Sequence, residues 1–346
     1  MVVLGIDAHK RTHTVVAVDE AGRQLGVRVT KTTSTAAHLD LVRWAGQFGI
    51  GRLWAVEDCR HLSRRLEADL LASGEVIVRV PPKLMAGTRK SARTYGKSDP
   101  IDALAVARAA LREPGLPAAR LDGPERELRL LADHRDDLVA ERTRMINRLR
   151  WHLHELDPSW DPVPRSLTGK KNLDAVAARL SALDGLVARL AAELAARIAA
   201  VTADINALQR EVAVLTHQLA PSLLALPGVA ELTAAKIVGQ TADVRRFRSK
   251  DAYARHNGTA PLPAWSGNRT RHRLSRTGNR QLNCAIHRIA VTQIRCHPEA
   301  QAYMKQRIAT GDSKAEALRA LKRRLSDIVY RALLADGTFV PVSSAA

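Results

Sequence analysis

The chain opens on a short apolar run, Val2 to Ile6, and a second such run, Thr14 to Val18, follows after a polar gap. Asp19-Glu20-Ala21-Gly22 is a turn signal, and Gln24 to Thr30 is a third extended run. These three strands form a meander. The period then changes. Leu41, Trp44, Ala45 and Phe48 fall on one side of a helix spanning Thr35 to Phe48. Leu53–Val56 is a fourth strand. Ser63–Ser73 is a helix with Leu66, Leu70 and Leu71 turned inward, and Val76–Val80 is a fifth strand closed by Pro81-Pro82. A polar, basic loop runs from Lys83 to Ser98. Asp99 then opens a helix with Ile101, Leu104, Ala105 and Ala109 at helical spacing. Three strands followed by helix, strand, helix, strand and helix is the order of the ribonuclease-H-like fold. Other α/β folds also alternate parallel strands with helices.

Beyond this region the pattern is helical. Residues 123–157 predict one long helix with an apolar stripe of Leu128, Leu131, Leu138, Met145, Leu149 and Leu153, ended by Pro158, Pro162 and Pro164. Residues 172–219 predict a second long helical stretch. Two long helices about a Pro-rich bend read either as a coiled-coil-like arm for self-association or as an intramolecular hairpin. Leu226-Pro227-Gly228-Val229 before a helix from Leu232 to Gly239 reads as half of a helix-hairpin-helix, which would offer backbone N–H groups to a phosphate, or as an ordinary turn. Residues 299–334 predict helix again. The expected organisation is an α/β domain over 1–122, a helical arm over 123–220 and a basic, mainly helical domain over 221–346.

Charge adds the first hint of a partner. Lys plus Arg outnumber Asp plus Glu by 54 to 35. A surface this basic favours a polyanion, since each neutralised phosphate releases counterions. An anionic membrane would need a basic amphipathic helix or a lipid anchor, and neither stands out. From Arg245 to Arg280 basic residues are dense and Asp251 is the only acid. Cys59, Cys284 and Cys296 show no paired spacing, which argues against a disulfide framework and a zinc site. The expected setting is the cytoplasm, because neither a signal-like start nor a long uncharged apolar stretch is seen.

Four carboxylates carry the candidate chemistry. Asp7 ends the first strand and Glu57 the fourth, neighbours in the expected sheet. Asp99 and Asp102 stand three apart on the opening turn of a helix, hence on one face. Each has a plainer reading. Asp7 could be a turn residue, Glu57 a surface group with Asp58 the true ligand, Asp99 a helix cap and Asp102 a dipole partner. Together, in this strand order, they point to a metal site. Carboxylates this close repel unless a cation sits among them. Mg²⁺ (or Mn²⁺) suits oxygen donors, and two such ions roughly 4 Å apart can clamp an in-line phosphoryl displacement. Gly-Ile-Asp before a hairpin also begins actin-like ATPases and sugar kinases, but their later glycine-rich phosphate loops are missing here.

In the basic stretch, Trp265-Ser266-Gly267 offers a hydroxyl amid arginines that could hold a scissile phosphate. From spacing alone, an exposed Ser-Gly turn explains it as well, and Ser275 competes. Arg269, Arg271, Arg273, Arg276 and Arg280 read as phosphate contacts.

These residues resemble the insertion-sequence-110 family of transposases, whose core is a RuvC-like domain with a DEDD acid set. Gly5-Ile6-Asp7-Ala8-His9-Lys10, Ala55-Val56-Glu57 and Lys97-Ser98-Asp99-Pro100-Ile101-Asp102-Ala103 look like its three acidic motifs. Leu226-Pro227-Gly228-Val229, Ser266-Gly267 and Leu274-Ser275-Arg276-Thr277-Gly278-Asn279-Arg280-Gln281-Leu282 resemble its transposase domain. Leu274 and Arg276 replace the usual isoleucine and lysine there. The resemblance implies that Asp7, Glu57, Asp99 and Asp102 are the catalytic, metal-holding acids and that Ser266 is the nucleophile, with Lys97 grouped among the nucleic-acid contacts. It further implies donor and target DNA, an element-encoded guide RNA and a homo-oligomer whose subunits share active sites. A RuvC-like junction nuclease using metal-activated water, with no serine intermediate, is the alternative.

Overall fold

Strands β1 (Val2–Ala8), β2 (Thr12–Val18) and β3 (Gln24–Lys31) form the antiparallel meander, and β4 (Arg52–Glu57) and β5 (Ile77–Val80) extend it in parallel on the other side of β1. The sheet order is β3-β2-β1-β4-β5. This is the mixed sheet expected from the strand and helix order. The computed structural model describes residues 1–57, 60–81, 84–85, 98–113, 115–116, 118–119, 123–264, 272–273, 275 and 278–337.

The pleat of β1 explains both of its cores. Leu4 and Ile6 face α1 (Thr35–Gly46) and α2 (Arg60–Ala72), packing with Leu41, Leu66 and Leu70. Val3 faces the other way, against Ala103, Val106 and Ala107 of α3 (Asp99–Arg112). Alternate residues of one strand thus bury on opposite faces. Trp54, fully buried on β4, donates its indole N–H to Glu75 at 2.6 Å. Glu67 is satisfied beneath the sheet by Ser63 at 2.6 Å and Arg79 Nε at 3.0 Å. These acids are therefore structural.

Helix α4 (Pro124–Leu156) fills the predicted span. The predicted single stretch 172–219 divides into α5 (Lys170–Leu180) and α6 (Leu186–Leu219). The intervening Asp184-Gly185 is a turn pair that outweighs the surrounding helix formers. Leu149 and Leu153 of α4, Val176 and Leu180 of α5, and Ala191, Ala195 and Ile198 of α6 share one core. Arg142 Nη1 reaches Thr202 Oγ1 at 3.3 Å. The long helices therefore pack on each other within one chain.

After a single short turn of helix at Pro221–Leu224, the longer helices among the described residues are α7 (Glu231–Thr241), α8 (Lys250–His256), α9 (Arg280–Cys296), α10 (Pro298–Ala309) and α11 (Lys314–Asp336). The predicted helix 299–334 is thus two, because Ser313 starts a new one with a capping box to Glu316. Between α8 and α9 lies a two-stranded ribbon, β6 (Leu262–Pro263) paired with β7 (His272–Arg273). The last residue of α11, Asp336, is buried and accepts from the backbone N–H groups of Ser222 at 2.8 Å and Leu223 at 3.2 Å. The chain forms two compact units, Met1–Asp122 with Arg246–Arg248, and Gly123–Arg245 with Ser249–Ala346.

Candidate active site

Asp7 follows Val3 and Gly5 on the α3-facing side of β1. Gly5 is there because α3 lies directly on the strand. A Cβ at this position would overlap the Ala103 carbonyl oxygen and stand 2.5 Å from the Ala107 nitrogen. The close approach brings the first turn of α3, with Asp99 and Asp102, over the end of β1. Ser98 is the N-cap, with no side-chain cap bond, so Asp99 is not the capping residue. Both acids sit where the helix dipole favours negative charge.

Asp7 is only 5% exposed. Burial pushes its carboxyl above the usual range. The charge and hydrogen bond of His9 pull it down, while Asp102 and then Asp99 push it up. Asp7 therefore lies in the field of both helix acids. His9 Nε2 stands 2.9 Å from Asp7 Oδ2 and 3.3 Å from Asp99 Oδ1. Ligand atoms of Asp7, His9 and Asp99 all lie within 4.8 Å of one another, a set able to hold a cation. Glu57 and Asp102 do not join that trio. Glu57 ends β4, one residue past Val56, which pairs with Ile6. Its position in the pleat matches Ala55, which packs on the α3 side. It is half-buried on the same face of the sheet as Asp7.

His9 is not an acid and stands outside the four-carboxylate pattern of the sequence. The strand period held the clue, since residues two apart on β1 share a face, and Asp7 and His9 are two apart. The hairpin turn that follows, where the His9 N–H donates to Thr12 at 3.1 Å, begins at the end of β1, the central strand.

In the carboxy-terminal unit, Arg273 is exposed on β7, and Arg280 is exposed at the first position of α9. Ser266, Arg269, Arg271, Arg276, Lys97 and Asp58 lie outside the described residues. Gly278 and Asn279 act on architecture. A Cβ at Gly278 would overlap the backbone of Gly258. Asn279 caps α9, accepting from Leu282 at 3.0 Å, and its N–H donates to His256 at 2.7 Å. The pair clamps the start of α9 against the end of α8. The Leu226–Val229 segment is a turn, with Pro227 O accepting from Gln293 at 2.7 Å. Glu231 occupies the first turn of α7, which favours the ordinary-turn reading over a phosphate site.

Two family models match the chain. One describes a transposase of the DEDD IS110 type and covers residues 4–158; the other describes the transposase of the IS116/IS110/IS902 family and covers residues 220–305. An insertion element IS116 protein of Streptomyces clavuligerus is 30% identical over 98% of this chain and 96% of its own length. The chain belongs to the IS116/IS110/IS902 family of transposases. An insertion element IS900 protein of Mycobacterium paratuberculosis is 28% identical to this transposase over 99% of the chain and 98% of its own. Among solved structures, T. thermophilus RuvC in complex with Holliday junction substrate aligns with 32% of the transposase and 91% of itself, at 17% identity and a TM-score of 0.26. As a transposase, the chain is an enzyme of DNA phosphoryl transfer. The first matched region contains all four candidate acids and His9, and the second contains Ser266. Helices α6 and α11 fall outside both. Among the described residues, no helix is long and apolar enough to cross a membrane.

Proposed function

We propose that this transposase cuts and rejoins DNA through two cooperating groups: a divalent cation held by Asp7, Glu57, Asp99 and Asp102, and Ser266 as nucleophile. The observation that carries the reading is the convergence of Asp7, Asp99 and His9, with Asp7 buried and its ionised form disfavoured in the cation's absence. A buried carboxylate beside a second acid is the environment a cation relieves. Hard oxygen donors fit Mg²⁺, and an imidazole beside them also suits Mn²⁺. Such an ion, when bound, neutralises the charge that grows on the phosphate oxygens.

The chain's own residues do the rest. The Ser266 oxygen forms a bond to phosphorus as the bond from phosphorus to the sugar oxygen breaks, and the serine proton ends on the released sugar hydroxyl. Arg269, Arg271, Arg273, Arg276, Arg280 and Lys97 hold phosphates. The helices of 123–220 support a homo-oligomer, so that the metal domain (1–122) of one subunit can serve the serine domain (221–346) of another. An element-encoded structured RNA guides donor and target choice, and the reaction runs in the cytoplasm. The net charge of +19 supports a nucleic-acid load of this kind.

The deciding experiment traps a covalent protein–DNA adduct by denaturing gel. Wild-type protein is expected to form it with Mg²⁺ or Mn²⁺, and Ser266→Ala to lose it together with strand exchange while still binding DNA. If Ser266→Ala cleaves normally and no adduct ever forms, the junction-nuclease alternative takes over.

A further inference from the structure

The carboxy-terminal unit contains a cavity of about 1070 Å³. Its walls are the Gly258–Pro261 turn, strand β7, Tyr303 and Arg307 of α10, and the α11 face from Glu316 to Asp327. Three acids line it, and each sits with an arginine. Asp312 is 2.5 Å from Arg307, Glu316 is 3.9 Å from Arg319, and Asp327 pairs with Arg323. Three further cations line it without a carboxylate partner among the described residues: Arg273, Lys322 and Arg324.

Lys322 is the informative one. It is 8% exposed, and among the described residues its ammonium donates to a single neutral acceptor, Asn283 Oδ1, at 2.6 Å. An ammonium has three donors. Burial pushes it below the usual lysine range, with Cys284 acting the other way. A buried cation with no counter-charge is costly, and an entering anion relieves that cost. Arg324 adds a second feature, lying over the Tyr303 ring at 5.4 Å. A guanidinium held over an aromatic ring forms with that ring a flat platform against which an unstacked base can lie, whatever its identity. Lys322 and Arg324 both lie beyond the second matched region, which ends at residue 305.

We propose that this cavity binds a single-stranded stretch of DNA, seating a phosphate on Lys322, with Arg273 as a neighbouring contact and a base against the Arg324–Tyr303 platform. A duplex carries its phosphates outside and bases inside, so it can lie on a rim but cannot present both to a concavity. The volume is at the upper end of the roughly 300–1,000 Å³ of ordinary ligand pockets, more than one small anion requires. The place fits as well. Pro263 and His272 pair across the β6–β7 ribbon, and the segment between them in sequence includes Ser266. A strand lying in the cavity therefore runs beside the base of the ribbon that carries the nucleophile. That the strand is DNA rests on the function proposed above; the demand for phosphate rests on Lys322.

The test uses the full chain and fluorescence anisotropy of a labelled oligonucleotide of about 12 nucleotides, a length within the usual single-strand site sizes. Affinity is measured over a salt series. Lys322→Gln and Arg324→Gln are each expected to weaken binding roughly tenfold and to reduce the slope of log affinity against log salt by about one. Tyr303→Leu is expected to weaken binding roughly tenfold with the slope unchanged. Arg189→Gln, exposed on α6 and paired with Glu193, is the control and should change neither. Blunt duplex DNA should bind all variants as it binds the wild type. Unchanged affinity and slope in both charge variants overturns the proposal, and if Lys322→Gln melts early, the exposed Arg324→Gln decides alone. An RNA of the same sequence binding more tightly than DNA, with the same losses in the variants, overturns the DNA assignment. The adduct assay separates the two readings. An absent Ser266 adduct with Lys322-dependent strand binding removes the serine mechanism alone. A normal adduct with Lys322-independent binding removes the cavity alone.

Discussion

The amino-terminal unit carries Asp7 on a strand and Asp99 and Asp102 on a helix packed directly over it. The carboxy-terminal unit carries Ser266, in sequence, on the connection between two strands of two residues each. In the first unit a whole sheet and its covering helix hold the acids. In the second, the described feature nearest the proposed nucleophile in sequence is local: one clamp, made where Gly278 meets Gly258 and Asn279 caps α9. Each unit depends on a glycine where backbones touch. Gly5 seats a helix on a strand, and Gly278 seats one turn on another. The difference teaches that metal chemistry needs several groups held at mutual distances, which regular elements do well. The nucleophile proposed for the second unit falls, in sequence, between two short paired strands, where a group can approach a substrate strand without a whole sheet to hold it.

The largest test of this contrast is Gly5→Val. The added atoms must displace the α3 backbone, so a loss of more than about 3 kcal/mol is expected, together with the metal site. Denaturant unfolding and Mn²⁺ titration would read it, and wild-type Mn²⁺ affinity in this variant would show that α3 does not set the site. The second is acid. His13 is 1% exposed on β2. Burial, then His38 and His9, lower its pKa to about 4. The unfolded ring takes up a proton near pH 6.5 and the folded ring does not, so stability falls as pH drops from 6.5 towards 4. The loss is roughly 3 kcal/mol at most. Hydrogen exchange at pH 7 and 4.5 should find the amino-terminal unit loosened more, since His287, a shifted histidine of the other unit, is exposed and little of its charge is buried. His13→Gln should flatten that response.

Gly278→Ala comes third, at about 2 kcal/mol. It should abolish the Ser266 adduct yet leave Mn²⁺ binding as in wild type. Loss of both would mean that the clamp is not local. The smallest effect is the stability change in Asp7→Asn. Burial raises the Asp7 carboxyl, so the folded state holds that proton to higher pH than the unfolded state does. Ionisation at neutral pH therefore costs stability. The asparagine form should be more stable at pH 7 by roughly 1 kcal/mol, as often follows when a functional strain is relieved, while cleavage is lost. A lower melting temperature for Asp7→Asn at pH 7 would contradict this.

The sheet was legible because strands write their burial into every second residue, and turn residues such as Asp19 to Gly22 mark the ends. The meeting of Asp7 with the α3 acids followed from strand order and from the i, i+3 spacing of Asp99 and Asp102. His9 was missed because half-exposed histidines have many roles, and only the register of β1 aims this one at Asp7. The helix divisions at 181–185 and 310–313 were missed for a different reason. Ala, Leu, Arg and Lys favour helix on both sides of each break, so the average over a window hides a two-residue stop. The cavity around Lys322 had no signature at all. It joins residues more than sixty positions apart, from Gly258 to Asp327.

Asp336 joins the two ends of the region that follows α6. Because one carboxylate ties residue 336 to residues 222 and 223, that region is a closed cassette whose entry and exit share a doorway. A domain whose two ends meet in this way can be moved or inserted as one piece without rethreading the chain.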